Sequence, residues 1–357
     1  MLKKLKFEKI LSKERILITG HTGFTGGWVS VWLHSIGIEV AGFSLDPNTS
    51  PSLFEEADLK SKIKTYIADL SEINQIRKAI VDFKPTMILH LAAQPLVRKS
   101  YSEPYKTFLT NTLGTANVLE ASKDFNEIKA ILCVTTDKVY KNKNSRMNFN
   151  EDDQLGGNDP YSASKAAAEM IIQGYLSIFL NNQQAPDVAI ARGGNIIGGG
   201  DWSEDRIIPD FIRSIRQKSV LKLRYPNATR PWQHVLALVH GYLLILSGLA
   251  SNNPQKYSKA WNFGPITDNS MTVKEIVDML ILHWAPVKYI FEDSNLPEAS
   301  HLSLNSNRAI KELGWKPLWD NNYSILKTVE WYKSFYSDQT DAYNITLNQI
   351  NEWRSGF

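Results

Sequence analysis

Residues 15–37, RILITGHTGFTGGWVSVWLHSIG, set a β-branched run, a glycine-spaced loop and an amphipathic stretch in unbroken succession. Little else constrains a fold so tightly. Parallel strands cannot be joined by tight turns, so a strand that runs straight into a helix opens a crossover unit. Gly20, Gly23 and Gly26 fall where the strand ends and the helix begins. Residues without a Cβ let backbone N–H groups approach a pyrophosphate, whose charge then sits at a helix N-terminus. The spacing is GxxGxxG, and its weight comes from the order strand, loop, helix rather than from the glycines alone. Phe24 is a further candidate contact, and His21 is either another or an ordinary loop residue.

The alternation continues downstream. EVAGFSL (39–45), KTYIADL (64–70), TMILHLAA (86–93) and KAILCVTT (129–136) read as strands, with helices predicted over 74–83 and 104–123. Near-continuous apolar strands separated by helices imply a parallel sheet covered on both faces. Right-handed crossovers then give an α/β, doubly wound, Rossmann-like sheet. From about residue 195, at NIIGGGDWSEDR, the pattern turns to Gly-rich loops, interrupted helices and short strands rich in Trp, Pro and Asn. The expectation is a dinucleotide-binding domain over 1–194 that carries the catalytic residues. A smaller α+β domain over 195–357 follows, with some of its segments returning to the sheet.

Bulk properties narrow the function. The 357 residues carry a net charge of +3 without a long basic block, which argues against nucleic acid or an anionic membrane surface as partner. A lone cysteine, Cys133, excludes an internal disulfide and fits a reducing compartment. The N-terminal MLKKLKFEKILSKER lacks the apolar core of a signal peptide, and no stretch nears the roughly 20 apolar residues of a membrane span. A cytoplasmic enzyme without a metal is expected.

Asp46 stands at the end of the second strand, where a carboxylate can bind the adenosine ribose. No Arg or Lys lies between residues 40 and 59 to receive a 2′-phosphate, so NAD is favoured over NADP. Asp69 and Leu70 end the third strand near the adenine, and Ala92 and Ala93 end the fourth. Tyr161 and Lys165, four apart in DPYSASKAAAEM, share one helix face. A neighbouring ammonium favours the phenolate, so Lys165 is expected to bring Tyr161 toward service as a base and to bind the nicotinamide ribose. The end of the fifth strand, TTDKVY, adds Thr136, Asp137 and Lys138 to the same edge, because doubly wound sheets place ligands beyond the carboxyl ends of their strands.

These motifs, with GGGDW, RPWQHV, WNFGP and LGWKP, resemble those of extended short-chain dehydrogenases/reductases that act on nucleotide sugars, and most closely the CDP-glucose 4,6-dehydratases. The resemblance spans nearly the whole chain, and GGGDW, RPWQHV and the lysine of TTDKVY are its discriminating pieces. It implies CDP-glucose as substrate and tightly held NAD. Tyr161 takes the 4-hydroxyl proton, Thr136 bonds the 4-oxygen, and Asp137 is the acid for the departing 6-hydroxyl. The family's relatives carry glutamate at the position of Lys138, and that glutamate removes the C5 proton. Lys138 either does so as a free amine, helped by Lys165 and desolvation, or stays charged and stabilises the enolate. By the same resemblance Arg230 grips the diphosphate, Asn195, Asp201, Trp202 and Arg206 wrap the nucleotide, and Arg98 touches sugar or diphosphate. Trp202 is either a stacking platform for the base or a core residue. PEASH, with Glu298 and His301, departs from the family's order and leaves their roles in doubt; Arg192 is structural. The resemblance further implies a homodimer through segments 104–122 and 160–178, and a product bound for deoxysugars of bacterial surface polysaccharide (lipopolysaccharide O-antigen). A UDP-sugar 4-epimerase would need no acid at position 137, and a non-catalytic NAD-binding sensor would lack Tyr161 or Lys165.

Overall fold

Seven parallel strands form the central sheet of this computed structural model, which describes residues 4–142, 148–179, 185–265, 271–292, 302–337 and 341–357. They are β1 (Arg15–Thr19), β2 (Glu39–Ser44), β3 (Lys64–Ile67), β4 (Met87–His90), β5 (Ala130–Val134), β6 (Asp187–Gly193) and β7 (Ala260–Phe263). Their order is 7-6-5-4-1-2-3, so the chain reverses direction beside β1, and ligand sites of doubly wound folds form at such a switch point. Helices α1 (Phe24–Ser35), α2 (Ile73–Phe83), α3 (Gly114–Ser122) and α4 (Pro160–Phe179) provide crossovers.

Two segments from beyond residue 195 complete this layer. Strand β7 pairs with β6, and α5 (Val235–Leu249) is apolar nearly all round and packs on β5 and β6. A helix of that character is stable only when buried, and 14 of its residues are. The second lobe otherwise consists of helix Ile207–Gln217, helix Val273–His283 and three two-stranded sheets. Helix α6 (Asn321–Tyr336) and helix α7 (Ala342–Ser355) close the chain, and the buried Glu8 carboxylate binds Trp32 Nε1 at 2.9 Å and Arg354 Nη2 at 3.0 Å.

The structure trims the expected elements in an informative way. The predicted strands 64–70, 86–93 and 129–136 leave the ladder after Ile67, His90 and Val134. The released residues, Ala68–Leu70, Leu91–Ala93 and Thr135–Thr136, line the cavity described below. Helix α1 begins at Phe24, two residues before the predicted start, because the extended Gly23 serves as its N-cap. The predicted helix 104–123 is broken by a π-helical turn over Leu109–Leu113. That turn aims Asn111 at the loop after β4 and at α4: its Oδ1 accepts from Gln94 N at 2.7 Å and its Nδ2 donates to Ser164 Oγ at 2.9 Å.

Candidate active site

One cavity of about 870 Å³ runs across the carboxyl edge of the sheet, from the β1–α1 loop to the second lobe. At its first end the wall is backbone. Gly20 has φ +79°, and a Cβ there would sit 2.7 Å from Ala92 N. A Cβ on Gly26 would lie 2.2 Å from Gly20 O, so α1 meets the loop at a distance that only hydrogen permits. The first-turn amides of α1 lack intrahelical acceptors, and with them the helix offers an anion site. Phe24, Asp46, Asp69, Leu70, Ala92 and Ala93 border the same end. This combination, a glycine cradle with a carboxylate one strand away, fits a dinucleotide.

His21 does not line the cavity, which favours the second of its two readings, an ordinary loop residue, over a cofactor contact. Its ring is fully buried, edge-on to Phe54 at 5.2 Å, in space that exists because residue 42 is glycine. Desolvation lowers its pKa to about 4, with a small opposing effect of the Phe43 backbone.

The middle of the cavity holds the titratable groups. Asp159 caps α4, accepting from Ser162 N at 2.9 Å, and Pro160 occupies the first turn, where its missing N–H costs nothing. Tyr161, the next residue, and Lys165, one turn beyond it, line the cavity. Thr136 Oγ1 caps the short 3₁₀ turn Asp137–Val139 and donates to Asp137 Oδ1 at 3.0 Å. Asp137 is 1 % exposed, and Asn195 Nδ2 donates to its Oδ2 at 3.3 Å. A Cβ on Gly194 would fall 2.3 Å from that carboxyl, so the glycine is what lets the acid lie there. Lys138 lines the wall, and among the described residues no hydrogen bond or ion pair engages its ammonium.

The expectation that Lys165 lowers the Tyr161 pKa is not met in this structure. Burial pushes the phenol up to about 12; the Thr136 hydrogen bond opposes this and the Asp137 charge adds to it. Lys165 Nζ donates instead to Val134 O at 3.1 Å. Burial lowers its own pKa to about 8, against the raising influence of Cys133 and Glu169.

The far end is made of side chains. Asp201 accepts from Arg206 at 2.8 Å, and Arg98 pairs with Asp205 at 3.6 Å across the cavity mouth. Arg230 is buried, with Nη1 donating to Thr229 O at 2.8 Å. Trp202 touches the cavity but belongs mainly to the core: its Nε1 donates to Tyr336 OH at 3.1 Å, and Trp331, Tyr332 and Phe335 surround its ring. Arg192 is buried on Glu169, as a structural residue should be, and Glu298 and His301 lie outside the described residues. Sequence reading missed Tyr101, Arg224 and Gly194. Tyr101 borders the cavity with a buried hydroxyl that has no hydrogen-bond partner among the described residues, and Arg224 binds Asp205 at 2.6 Å. Only Gly194 left a signal, as half of a glycine pair.

Comparison with known proteins agrees with this geometry. Residues 16–263 match the NAD dependent epimerase/dehydratase family. The chain is 39% identical over 348 residues to the CDP-glucose 4,6-dehydratase of Salmonella typhimurium, covering 96% of each chain. It is 25% identical over 334 residues to the human dTDP-D-glucose 4,6-dehydratase, covering 90% of each. Among solved structures, a UDP-glucose 4-epimerase from Thermotoga maritima with UDP-glucose superposes with a TM-score of 0.77 at 21% identity, covering 90% of this chain and 99% of that one. A dTDP-glucose 4,6-dehydratase from Streptomyces venezuelae with NAD bound gives 0.75 at 23%, covering 90% and 98%. A glycine cradle, a tyrosine–lysine helix and a match that reaches from the first strand to the last thus lead to one conclusion: the chain belongs to the NAD dependent epimerase/dehydratase family.

Proposed function

We propose that this protein is a CDP-glucose 4,6-dehydratase, a hydro-lyase that converts CDP-glucose to CDP-4-dehydro-6-deoxyglucose and water with retained NAD. The observation that carries this reading is the buried Asp137 carboxyl, bonded by the Thr136 hydroxyl on the cavity wall that Tyr161 also lines. Loss of water needs an acid beside the base, and an epimerase does not. The near-full-length likeness to the Salmonella typhimurium enzyme supports the nucleotide.

Gly20, Gly23, Phe24 and Gly26 would hold the NAD pyrophosphate, Asp46 the adenosine ribose, Asp69, Leu70, Ala92 and Ala93 its adenine side, and Lys165 the nicotinamide ribose. When bound, NAD supplies a hydride acceptor that later returns the hydride, together with a positively charged ring. Tyr161 takes the proton of the sugar 4-hydroxyl while Thr136 bonds that oxygen. The resulting ketone acidifies the C5 hydrogen, and Asp137 gives its proton to the 6-hydroxyl as it leaves. Lys138 serves this step either as the C5 base or as a charge that steadies the enolate. Arg230 and Arg206 would hold the diphosphate, a task suited to a guanidinium fork, with Arg98, Asn195, Asp201 and Trp202 around the nucleotide.

Incubation with CDP-glucose should yield a 4-keto-6-deoxy product without added reductant. Product from UDP- or dTDP-glucose alone would overturn the nucleotide assignment and leave the reaction class standing. If Lys138 is the base, Lys138→Ala stops solvent deuterium entry at C5 yet still allows NAD reduction by substrate; unchanged exchange assigns it the charged role.

Segments 104–122 and 160–178 expose Tyr105 (80%), Leu113, Met170 and Ile178, an apolar face that a second copy would cover. A homodimer is the expected state, and sedimentation as a monomer would refute it. No helix among the described residues is long and apolar enough to cross a membrane. A cytoplasmic enzyme whose product feeds surface-polysaccharide deoxysugars fits this reading.

A further inference from the structure

Behind the reacting edge, a buried carboxylate on α4 takes bonds from the residue after β5 and from β6, and the network runs on to β7. Glu169 is 0% exposed and lies one turn beyond Lys165 on α4. Its Oε1 accepts from the Thr135 hydroxyl at 2.6 Å, and Arg192 Nε, from β6, lies 2.9 and 3.1 Å from its two oxygens. Arg192 Nη1 donates onward to Tyr140 OH at 2.7 Å and to Glu151 O at 2.7 Å, and Tyr140 OH donates to Asn262 Oδ1 of β7 at 2.7 Å.

The chain positions of the contacts carry the argument. Thr135 and Tyr140 are the two residues that flank Thr136, Asp137, Lys138 and Val139. Both hydroxyls are tied to the Glu169–Arg192 pair, and Glu169 belongs to the helix that presents Tyr161 and Lys165. The proposed acid and the proposed base therefore sit on separate elements, which the Glu169–Arg192 pair joins in addition to the Lys165 Nζ bond to Val134 O. A buried ion pair is poor evidence of stability, since apolar replacements often do as well, whereas a fully bonded polar network fixes one register.

We propose that the buried Glu169–Arg192 pair is a positioning device: it grips both ends of the 136–139 segment and sets that segment in register with Tyr161 and Lys165. The catalytic meaning of this register rests on the dehydratase reading; the grip itself does not.

Removing Glu169 outright would strand Arg192 and threaten folding, so the test uses near-isosteric changes at the flanks. Thr135→Val and Tyr140→Phe each delete one hydroxyl, and the second keeps the ring stacked on Phe149 at 4.8 Å. The double variant should lose about 10- to 100-fold in kcat, the scale of a misplaced catalytic group, with KM and retained NAD within about twofold of wild type. Hydrogen–deuterium exchange of residues 136–139 should accelerate, and Thr135→Ser should restore both readouts in the Thr135 variant. Unchanged exchange overturns the proposal, as does a loss of NAD or a rise in KM that matches the loss of kcat. If the wild-type protein makes no product from CDP-glucose, the dehydratase reading fails, and exchange with Thr135→Ser rescue still decides the grip.

Discussion

The two ends of the cavity are built from different material. Near the glycine loop the wall is backbone and small residues, fixed by contacts too close for a Cβ at Gly20 and Gly26. At the other end it is side chains: Arg98 and Arg224 pair with Asp205, Arg206 pairs with Asp201, and Arg230 stands beside them. A backbone wall has one shape and suits a partner common to a whole family. A wall of side chains can be altered one residue at a time, and the proposed function assigns nucleotide specificity to it.

This contrast can be attacked experimentally. Tyr161→Phe stands at the junction of the two ends and should lower kcat by about 1,000-fold with NAD retained, because general acid–base catalysis is lost while the cradle is untouched. A loss below tenfold would remove the phenol from its role. Gly194→Ala should lower kcat about 100-fold by displacing Asp137, with NAD content unchanged; loss of NAD in parallel would blur the division between the ends.

Acid should act through the buried histidines, His21 at the backbone end among them. The His21 pKa is about 4 when folded and near 6.5 when unfolded, so the unfolded chain binds the extra proton. Its contribution to stability is present above pH 6.5 and is lost as the pH falls toward 4. Between pH 6.5 and 5 the loss is about 2 kcal/mol, read as a fall in denaturation midpoint that His21→Asn makes shallower. The smallest effect belongs to the side-chain end. Tyr101→Phe should raise KM about fivefold, the equivalent of one hydrogen bond, without lowering the melting temperature, because no group among the described residues bonds that hydroxyl. A lower melting temperature with unchanged KM would make Tyr101 a structural residue.

Legibility from the sequence follows the same division. Order and spacing alone placed β1, the glycine loop and the Tyr161–Lys165 pair, because backbone geometry and helical period leave marks in sequence. Strand ends were overextended: Ala68, Leu91 and Ala92 continue the apolar runs in composition yet have left the ladder to face the cavity. The Tyr161 ionisation came out in the wrong direction, since helical spacing shows that Lys165 shares its face and shows nothing of how deeply both are buried. Arg224, Tyr101 and the Glu169 network left no local pattern; Arg224 and Glu169 gain meaning only from partners distant in the chain, and Tyr101 from the cavity it borders. Arg230 and Asp201 came from resemblance, and no spacing argument would have found them.

Strand β7 and helix α5 come late in the chain yet finish the first layer. A ribosome must therefore deliver residue 263 before the sheet has its outer rail, and a fragment cut at 194 would emerge with β6 open to self-association. Chimeras between relatives are better made by transplanting short inserts, such as the stretch between β6 and α5, than by joining a front half to a foreign back half.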